Sequence, residues 1–368
     1  MSALVSTSAL PGAALRVGIV GGGFMATVHS RAARASGASL AGIVSSSPER
    51  SRAAAETLGI EAAYDSLDDL LANGAVDVVH VCTPNARHAE QAHAVLDAGI
   101  AVVCEKPLAT TVGQARQLVD SAGDRVAAVP FVYRYHPLVR EARARIASGE
   151  AGEILTIHGS YLQDWLLSSG DDNWRVDEVA GGRSRAFADI GSHLVDLVEF
   201  VTGDRITRVA AIKRTFFKER AQHAEVRTED AVAVAVETAS GAIGTLLVSQ
   251  VAPGRKNGLR IEIAGSAETV AFDQEQPETL WLGRRSGSLL IPRDADQLHA
   301  DAARLCSSPA GHPQGYQDAF DNFVADVYTS IRGEAPEGLP GFRDGLRAVE
   351  VTDAVITASE TGSWADIQ

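Results

Sequence analysis

The stretch "LRVGIVGGGFMATVHSRAAR", residues 15–34, decides the fold. An apolar run over 15–20 predicts a short buried strand. A glycine cluster follows, and then a helical pattern. The order strand, glycine turn, helix is the context that a G-x-G-x-x-G/A fingerprint requires. Gly21, Gly23 and Ala26 fill its three places. Gly21 permits the tight turn, and Gly23 lets the backbone approach a pyrophosphate. Ala26 is small enough for the helix to pack close to the strand. Phe24 and Met25 open that helix, whose free N–H groups favour a bound anion. Dinucleotide binding is the expectation, and a merely structural glycine turn is the plainer alternative.

Working outward, strand and helix keep alternating with short connections. Strands are expected at 39–44, 76–82 and 100–104, with a further helix and strand before residue 133. That rhythm predicts a doubly wound parallel sheet over 15–133. It changes near residue 133. A helix and a strand follow, then an irregular loop over 166–186, and then a helix in "ADIGSHLVD". Strand-like runs at 206–216, 230–238, 241–251, 258–264 and 268–273 predict a large open, mostly antiparallel sheet in an α+β region spanning 134–341. "AVAVAVE" has no polar face, as in a sheet covered on both sides by helices or by another subunit. Helices are expected at 315–332 and 342–361.

Composition bounds the function. The 368 residues carry 33 Lys and Arg against 47 Asp and Glu, a net charge of −14. This disfavours non-specific nucleic-acid binding, which needs clustered basic residues. The 3 cysteines form no C-x-x-C pair, so neither a zinc site nor a disulfide framework is suggested. No apolar run approaches the roughly 20 residues of a membrane span. Residues 1–14 read as a disordered leader rather than a signal peptide. A cytoplasmic enzyme is expected.

Other motifs fall where strands end, the edge at which such sheets bind ligands. "VSSSPER" places Ser45 and Ser46 where NAD-selective sites often carry an acid. With Arg50 they favour a 2′-phosphate, hence NADP, while a simple helix-capping turn leaves NAD open. "VCTPNARH" supplies Thr83, Pro84, Asn85 and His88 as cofactor contacts. "VVCEKPLA" adds Glu105 and Lys106, before a proline whose peptide bond admits cis. Asp189, His193 and Asp196 recur at helical spacing on one face. A metal site built on these three lacks an H-x-x-E-H or cysteine partner.

Taken in order, "GIVGGGFMATVHSRA", "TPNARH", "CEKPLA" and "DIGSHLVD" resemble the Gfo/Idh/MocA oxidoreductases, the glucose-fructose oxidoreductase and inositol dehydrogenase family. The resemblance runs over about residues 16–361. It implies a Rossmann domain, a C-terminal open-sheet domain that often mediates dimers or tetramers, and a last helix (within 342–368) packing back towards the first domain. It implies Lys106, Asp189 and His193 as catalytic residues for reversible hydride transfer at a secondary alcohol of a sugar or cyclitol. His193 is the expected base and Lys106 the partner of the same oxygen. Proton transfer by Lys106 or a tyrosine stays open. "VSSSPER" is similar to the NADP-binding turn of the family's 1,5-anhydrofructose reductases. Tyr133 stands where many members carry Asn. Tyr133, Arg134, Tyr135, Trp165, Trp174 and Arg175 are the expected substrate contacts, with core packing the alternative for Trp165. Asp196 is expected to be structural or solvated. A non-catalytic dinucleotide-binding regulator is the competing class.

Overall fold

A computed structural model describes residues 14–368. Residues 1–13, and with them the leader expectation, lie outside the described residues. The first sheet contains β1 (Arg16–Val20), β2 (Ser39–Val44), β3 (Ala63–Tyr64), β4 (Val78–Val81), β5 (Ala101–Cys104) and β6 (Ala127–Ala128). Its order is β3-β2-β1-β4-β5-β6 and every pair is parallel. The order reverses between β1 and β4, so the switch point lies at the glycine cluster. Alternation along β1 sends Val17 and Ile19 into one core layer and Val20 into the other. Both faces are buried, as a parallel sheet requires. The two-residue β3 is too short to leave a periodic signal.

The second sheet contains β7 (Ile154–Leu162), β8 (Ile206–Arg214), β9 (Ala231–Thr238), β10 (Ile243–Ser249), β11 (Gly258–Gly265), β12 (Thr269–Asp273), β13 (Thr279–Arg284), β14 (Gly287–Pro292) and β15 (Ala365–Asp366). Its order is β14-β13-β12-β11-β7-β10-β9-β8-β15. All pairs are antiparallel except β7 with β10. The helix Ser192–Thr202 covers its inner face. It approaches closely because β7 carries Gly159, where a Cβ would meet Leu194 Cδ1 at 3.0 Å. In β9 the valines Val232, Val234 and Val236 point inward, and Ala233 faces outward.

Two late helices tie the sheets together. The helix Tyr316–Ile331 buries Phe320, Phe323, Val324 and Val327 in one cluster with Leu15, Val17 and Ile19. The sequence division groups this helix with the second region, yet its apolar face covers the first sheet. The helix Phe342–Thr361 is shared. Phe342, Ala348 and Val349 join the first sheet's core, and Val351, Ala354, Val355 and Ala358 join the second's.

Candidate active site

One cleft opens at the carboxyl ends of β1, β2, β4 and β5 and continues to the inner edge of the second sheet. Its floor is the glycine turn. Gly21 has φ +113°, and a Cβ there would lie 2.6 Å from the Cys82 carbonyl oxygen. Gly23 precedes the helix Phe24–Ala35, and a Cβ there would meet nothing within 4 Å. No side chain caps that helix, and its first turn holds no acid. Its N–H groups therefore face an open, uncharged cradle that suits a pyrophosphate. Phe24, 74% exposed, and Met25 line the rim.

At the end of β2, Ser47 caps the helix Pro48–Leu58, accepting from the Arg50 N–H at 3.3 Å. The Ser45 N–H donates to Ser51 Oγ at 2.8 Å, and Arg50 Nη1 donates to Ser46 Oγ at 3.1 Å. Ser45, Ser46 and Arg50 line the cleft. The stretch thus serves as both a capping turn and a cleft wall.

Thr83, Pro84, Asn85 and His88 line the cleft beyond β4. His88 Nδ1 lies 2.7 Å from the Pro107 carbonyl and Nε2 lies 2.8 Å from that of Thr83, so this ring straps two loops together. Asn85 Nδ2 donates to the Gly181 carbonyl at 2.9 Å and ties the first sheet to the 166–186 loop. The Lys106–Pro107 bond is cis.

Lys106 Nζ reaches across the cleft. It donates to Asp189 Oδ1 and to the Asp189 carbonyl, both at 2.7 Å. Asp189 Oδ2 accepts from Gln250 Nε2 at 2.9 Å, and Arg175 Nε lies 3.5 Å from Oδ1. Burial pushes the Asp189 carboxyl up, but the Lys106 and Arg175 charges outweigh it and hold the group well below the usual carboxylate range. Asp189 sits on a π-helical turn, Phe187–Gly191, immediately before Ser192–Thr202. Such turns often mark functional sites because they re-aim a side chain.

His193, 8% exposed, stands edge-on to Tyr133, with ring centres 5.0 Å apart, and to Phe131 at 5.7 Å. Its buried Nδ1 has no hydrogen-bond partner. Burial, and then the Lys106 charge, hold its pKa well below that of ordinary histidine. The ring is therefore neutral at neutral pH. Beside it lies a polar ring. Tyr161 Oη donates to Asn257 Oδ1 at 2.6 Å, Asn257 Nδ2 donates to Tyr133 Oη at 3.0 Å, and the two phenols are 2.5 Å apart. Gln163 and Trp165 extend it, with Trp165 Nε1 donating to Gln163 Oε1 at 2.8 Å. Arg175 stacks over the Trp174 ring at 4.4 Å.

Two sequence expectations need correction. Arg134 and Tyr135 do not line the cleft. Arg134 forms a two-pronged bond to Asp196 and donates to Asp344 Oδ1 at 2.7 Å, so its guanidinium joins two helices. Tyr135 lies in the core against Phe323. Their chain neighbour Tyr133 does face the cleft, because the backbone turns through a short 3₁₀ helix at Val132–Tyr135. Asp196 accordingly is structural. Sequence reasoning also missed Tyr161, Gln163, Gln250 and Asn257. The alternating "SYLQDW" offered a signal for the first two; Asn257 sits in a turn that reads only as a connection.

Among the described residues, no group of three or more His, Cys, Asp or Glu is arranged to hold a metal ion. No described helix is long and apolar enough to cross a membrane.

Comparison with known proteins agrees with this architecture. Residues 15–130 match the oxidoreductase family model with an NAD-binding Rossmann fold, and residues 139–271 match the GFO/IDH/MocA C-terminal domain. The chain is 34% identical to an oxidoreductase domain protein from Kribbella flavida (TM-score 0.89; 96% of this chain, 99% of that one). It is 29% identical to levoglucosan dehydrogenase of Pseudarthrobacter phenanthrenivorans, over 96% of this chain and 98% of the relative. A solved inositol dehydrogenase homologue from Azotobacter vinelandii, complexed with NADH and myo-inositol, is 27% identical (TM-score 0.88; 96% and 98% covered). With its Rossmann sheet, open second sheet and Lys106, Asp189 and His193 in one cleft, the chain belongs to the Gfo/Idh/MocA oxidoreductase family.

Proposed function

We propose that this protein is an NAD(P)-dependent dehydrogenase or reductase acting at a secondary alcohol or ketone of a sugar, sugar derivative or cyclitol. The observation that carries the reading is Lys106 bound to Asp189 beside a neutral, buried His193. The dinucleotide, when bound, supplies a nicotinamide carbon that exchanges hydride with the substrate carbon. The glycine turn, Phe24, Met25, Thr83, Pro84, Asn85 and Glu105 form its wall. An ammonium has three donors. Two of Lys106's reach Asp189, and the third is available to a substrate oxygen. There its charge stabilises a developing alkoxide. His193 accepts the alcohol proton as a neutral imidazole. Asp189 fixes Lys106 and keeps its own carboxylate ionised. Tyr133, Tyr161, Asn257 and Gln163 offer uncharged hydrogen-bonding groups suited to hydroxyls, and Trp165, Trp174 and Arg175 close the substrate side.

NADP is the preferred cofactor in this reading. The end of β2 presents Ser45, Ser46 and Arg50, with no acid along the chain before Glu49, and these groups suit a 2′-phosphate. The protein also assembles with copies of itself through the outer face of the second sheet. One cross-strand row there runs Ile212, Ala233, Leu247, and Trp281 and Leu290 lie exposed towards the other edge.

The test is a screen of monosaccharides, anhydrosugars, glycosides and inositols with NAD+ and NADP+, read at the nicotinamide absorbance. Turnover of at least one polyol is expected, lowered about 10²-fold or more in Lys106→Ala. No turnover of any, or wild-type turnover by a folded Lys106→Ala protein, overturns the reading.

A further inference from the structure

Trp165, Trp174 and Arg175 reach the cleft from a segment that has little structure of its own: residues 167–173 form neither helix nor strand. What holds this loop lies behind it, in the connection from β8 to β9. Arg220 of that connection is buried and does not line the cleft. Its Nη1 donates to the carbonyls of Ser168 at 2.9 Å and Asp171 at 2.8 Å, and its Nη2 donates to that of Leu166 at 3.1 Å. Nη2 also donates to Asp230 Oδ1 at 2.8 Å, while Asp230 Oδ2 accepts from the Phe217 N–H at 3.0 Å. The guanidinium is thus fixed on its own connection and spends the rest of its donors on the loop. The alcohol chemistry above does not use it.

Three carbonyls of one loop converge on one side chain. A guanidinium serves them together with a planar fork of N–H donors, where a lysine offers a single nitrogen. Because these bonds end on main-chain oxygens, the side chains of the loop stay free to face the cleft. Other contacts join the same two segments. The Asp172 carboxylate accepts from the Gln222 N–H, and its Oδ1 lies 2.7 Å from His223 Nδ1. Leu166, Val176 and Val226 form a small buried cluster of their own, with Trp165 packed against it. Thr228 Oγ1 donates to the Val176 carbonyl at 3.2 Å. The connection therefore braces the loop from Trp165 to Val176.

We infer that the connection from β8 to β9, chiefly through Arg220, positions the wall of Trp165, Trp174 and Arg175 and thereby sets the affinity for the polyol substrate. This rests on the reading above that a sugar or cyclitol lies between that wall and Lys106. Flat aromatic and guanidinium groups grip a polyol when they already stand at the right distance and angle, and ordering a free loop at the moment of binding costs affinity. The brace removes that cost. Arg220 is a positioning residue that acts through the loop. The dinucleotide wall is built on the first sheet, and Lys106, Asp189 and His193 are held by other bonds, so neither cofactor affinity nor the chemical step depends on Arg220.

Steady-state kinetics of the full-length protein test this, with the polyol that the wild type turns over fastest in the screen above. Arg220→Lys keeps a cation beside Asp230 and removes the fork. It is expected to raise the polyol KM about ten-fold, the scale of losing one bond from a charged donor. The kcat should change less than about three-fold and the dinucleotide Kd not at all. Amide hydrogen exchange should quicken over 166–173 and stay unchanged in the first sheet. A wild-type KM in folded Arg220→Lys overturns the inference. So does a fall of kcat and dinucleotide affinity in step with the rise of KM, the mark of a general loss of structure. If Arg220→Lys does not fold, Asp172→Ala cuts the neighbouring contact of the same brace. A KM raised about three-fold at unchanged kcat is then expected, and a wild-type KM overturns the inference. A wild type that binds dinucleotide but turns over no polyol overturns the parent reading as well.

Discussion

At the residue scale, the proposed chemistry turns on the electrostatics between Lys106 and His193. The Lys106 charge is one of the forces holding His193 neutral, while Asp189 opposes it. Lys106→Ala is expected to lower kcat about 10²–10³-fold, the scale for losing one donor to a developing oxyanion. The same change should raise the His193 pKa towards the ordinary value, because a like charge is removed. Asp189→Asn should lower it. Histidine NMR titrations of both variants check the two signs independently of turnover. Arg50→Ala should cut kcat/KM with NADP about ten-fold or more and leave NAD nearly unchanged, since only the phosphorylated ribose would meet the guanidinium. An unaltered cofactor preference excludes that contact. Lys106 and Asp189 were legible because a polar residue at a strand end and another on a helical face leave sequence traces. Arg134 misled because its charge is spent on Asp196 and Asp344, partners distant in sequence.

At the scale of elements, the π-helical turn that presents Asp189 is held from below. Glu229 Oε1 accepts from Ser184 Oγ at 2.8 Å, the Arg185 N–H at 3.0 Å and the Phe187 N–H at 2.9 Å, all buried. Glu229→Ala would orphan those donors and is expected to destabilise by about 3–5 kcal/mol. Glu229→Gln retains an acceptor and should cost less. In a folded Glu229→Gln protein the substrate KM should rise more than the cofactor Kd, because the turn carries Asp189 and not the dinucleotide wall. Chemical denaturation and steady-state kinetics read both effects. The strands and helices around the glycine turn were legible from their alternation. The π turn was not, because "AFADIGSHLVD" fits an uninterrupted α-helix equally well and the extra residue is accommodated by buried bonds to Glu229.

For the whole molecule, acid should be destabilising through the buried histidines, an effect that the raised buried carboxyls of Asp196, pushed up to about 7, and Glu229 offset in part. Burial lowers the pKa of His80, His88, His136 and His193, His136 to about 4. A lowered folded pKa means that the unfolded chain binds more protons below about pH 6.5, so stability present above that pH is lost on acidification. The thermal midpoint is expected to fall steadily from pH 7 to pH 4; a flat profile contradicts the buried neutral assignments. Leu247→Asp, on the outer face of the second sheet, should shift the mass in solution to the monomer while leaving dinucleotide binding intact. Light scattering reads the first and fluorescence the second.

The helix Tyr316–Ile331 has a consequence for how the chain is made. Leu15, Val17 and Ile19 are buried partly by Phe320, Phe323 and Val327, which lie some three hundred residues downstream. The dinucleotide-binding half is therefore contiguous in sequence but cannot close its core while only its own residues have been synthesised. At ribosomal speed it waits roughly 10–40 s for that helix to emerge. During that interval its first strand presents apolar surface to chaperones, and a fragment ending near residue 133 should aggregate rather than fold.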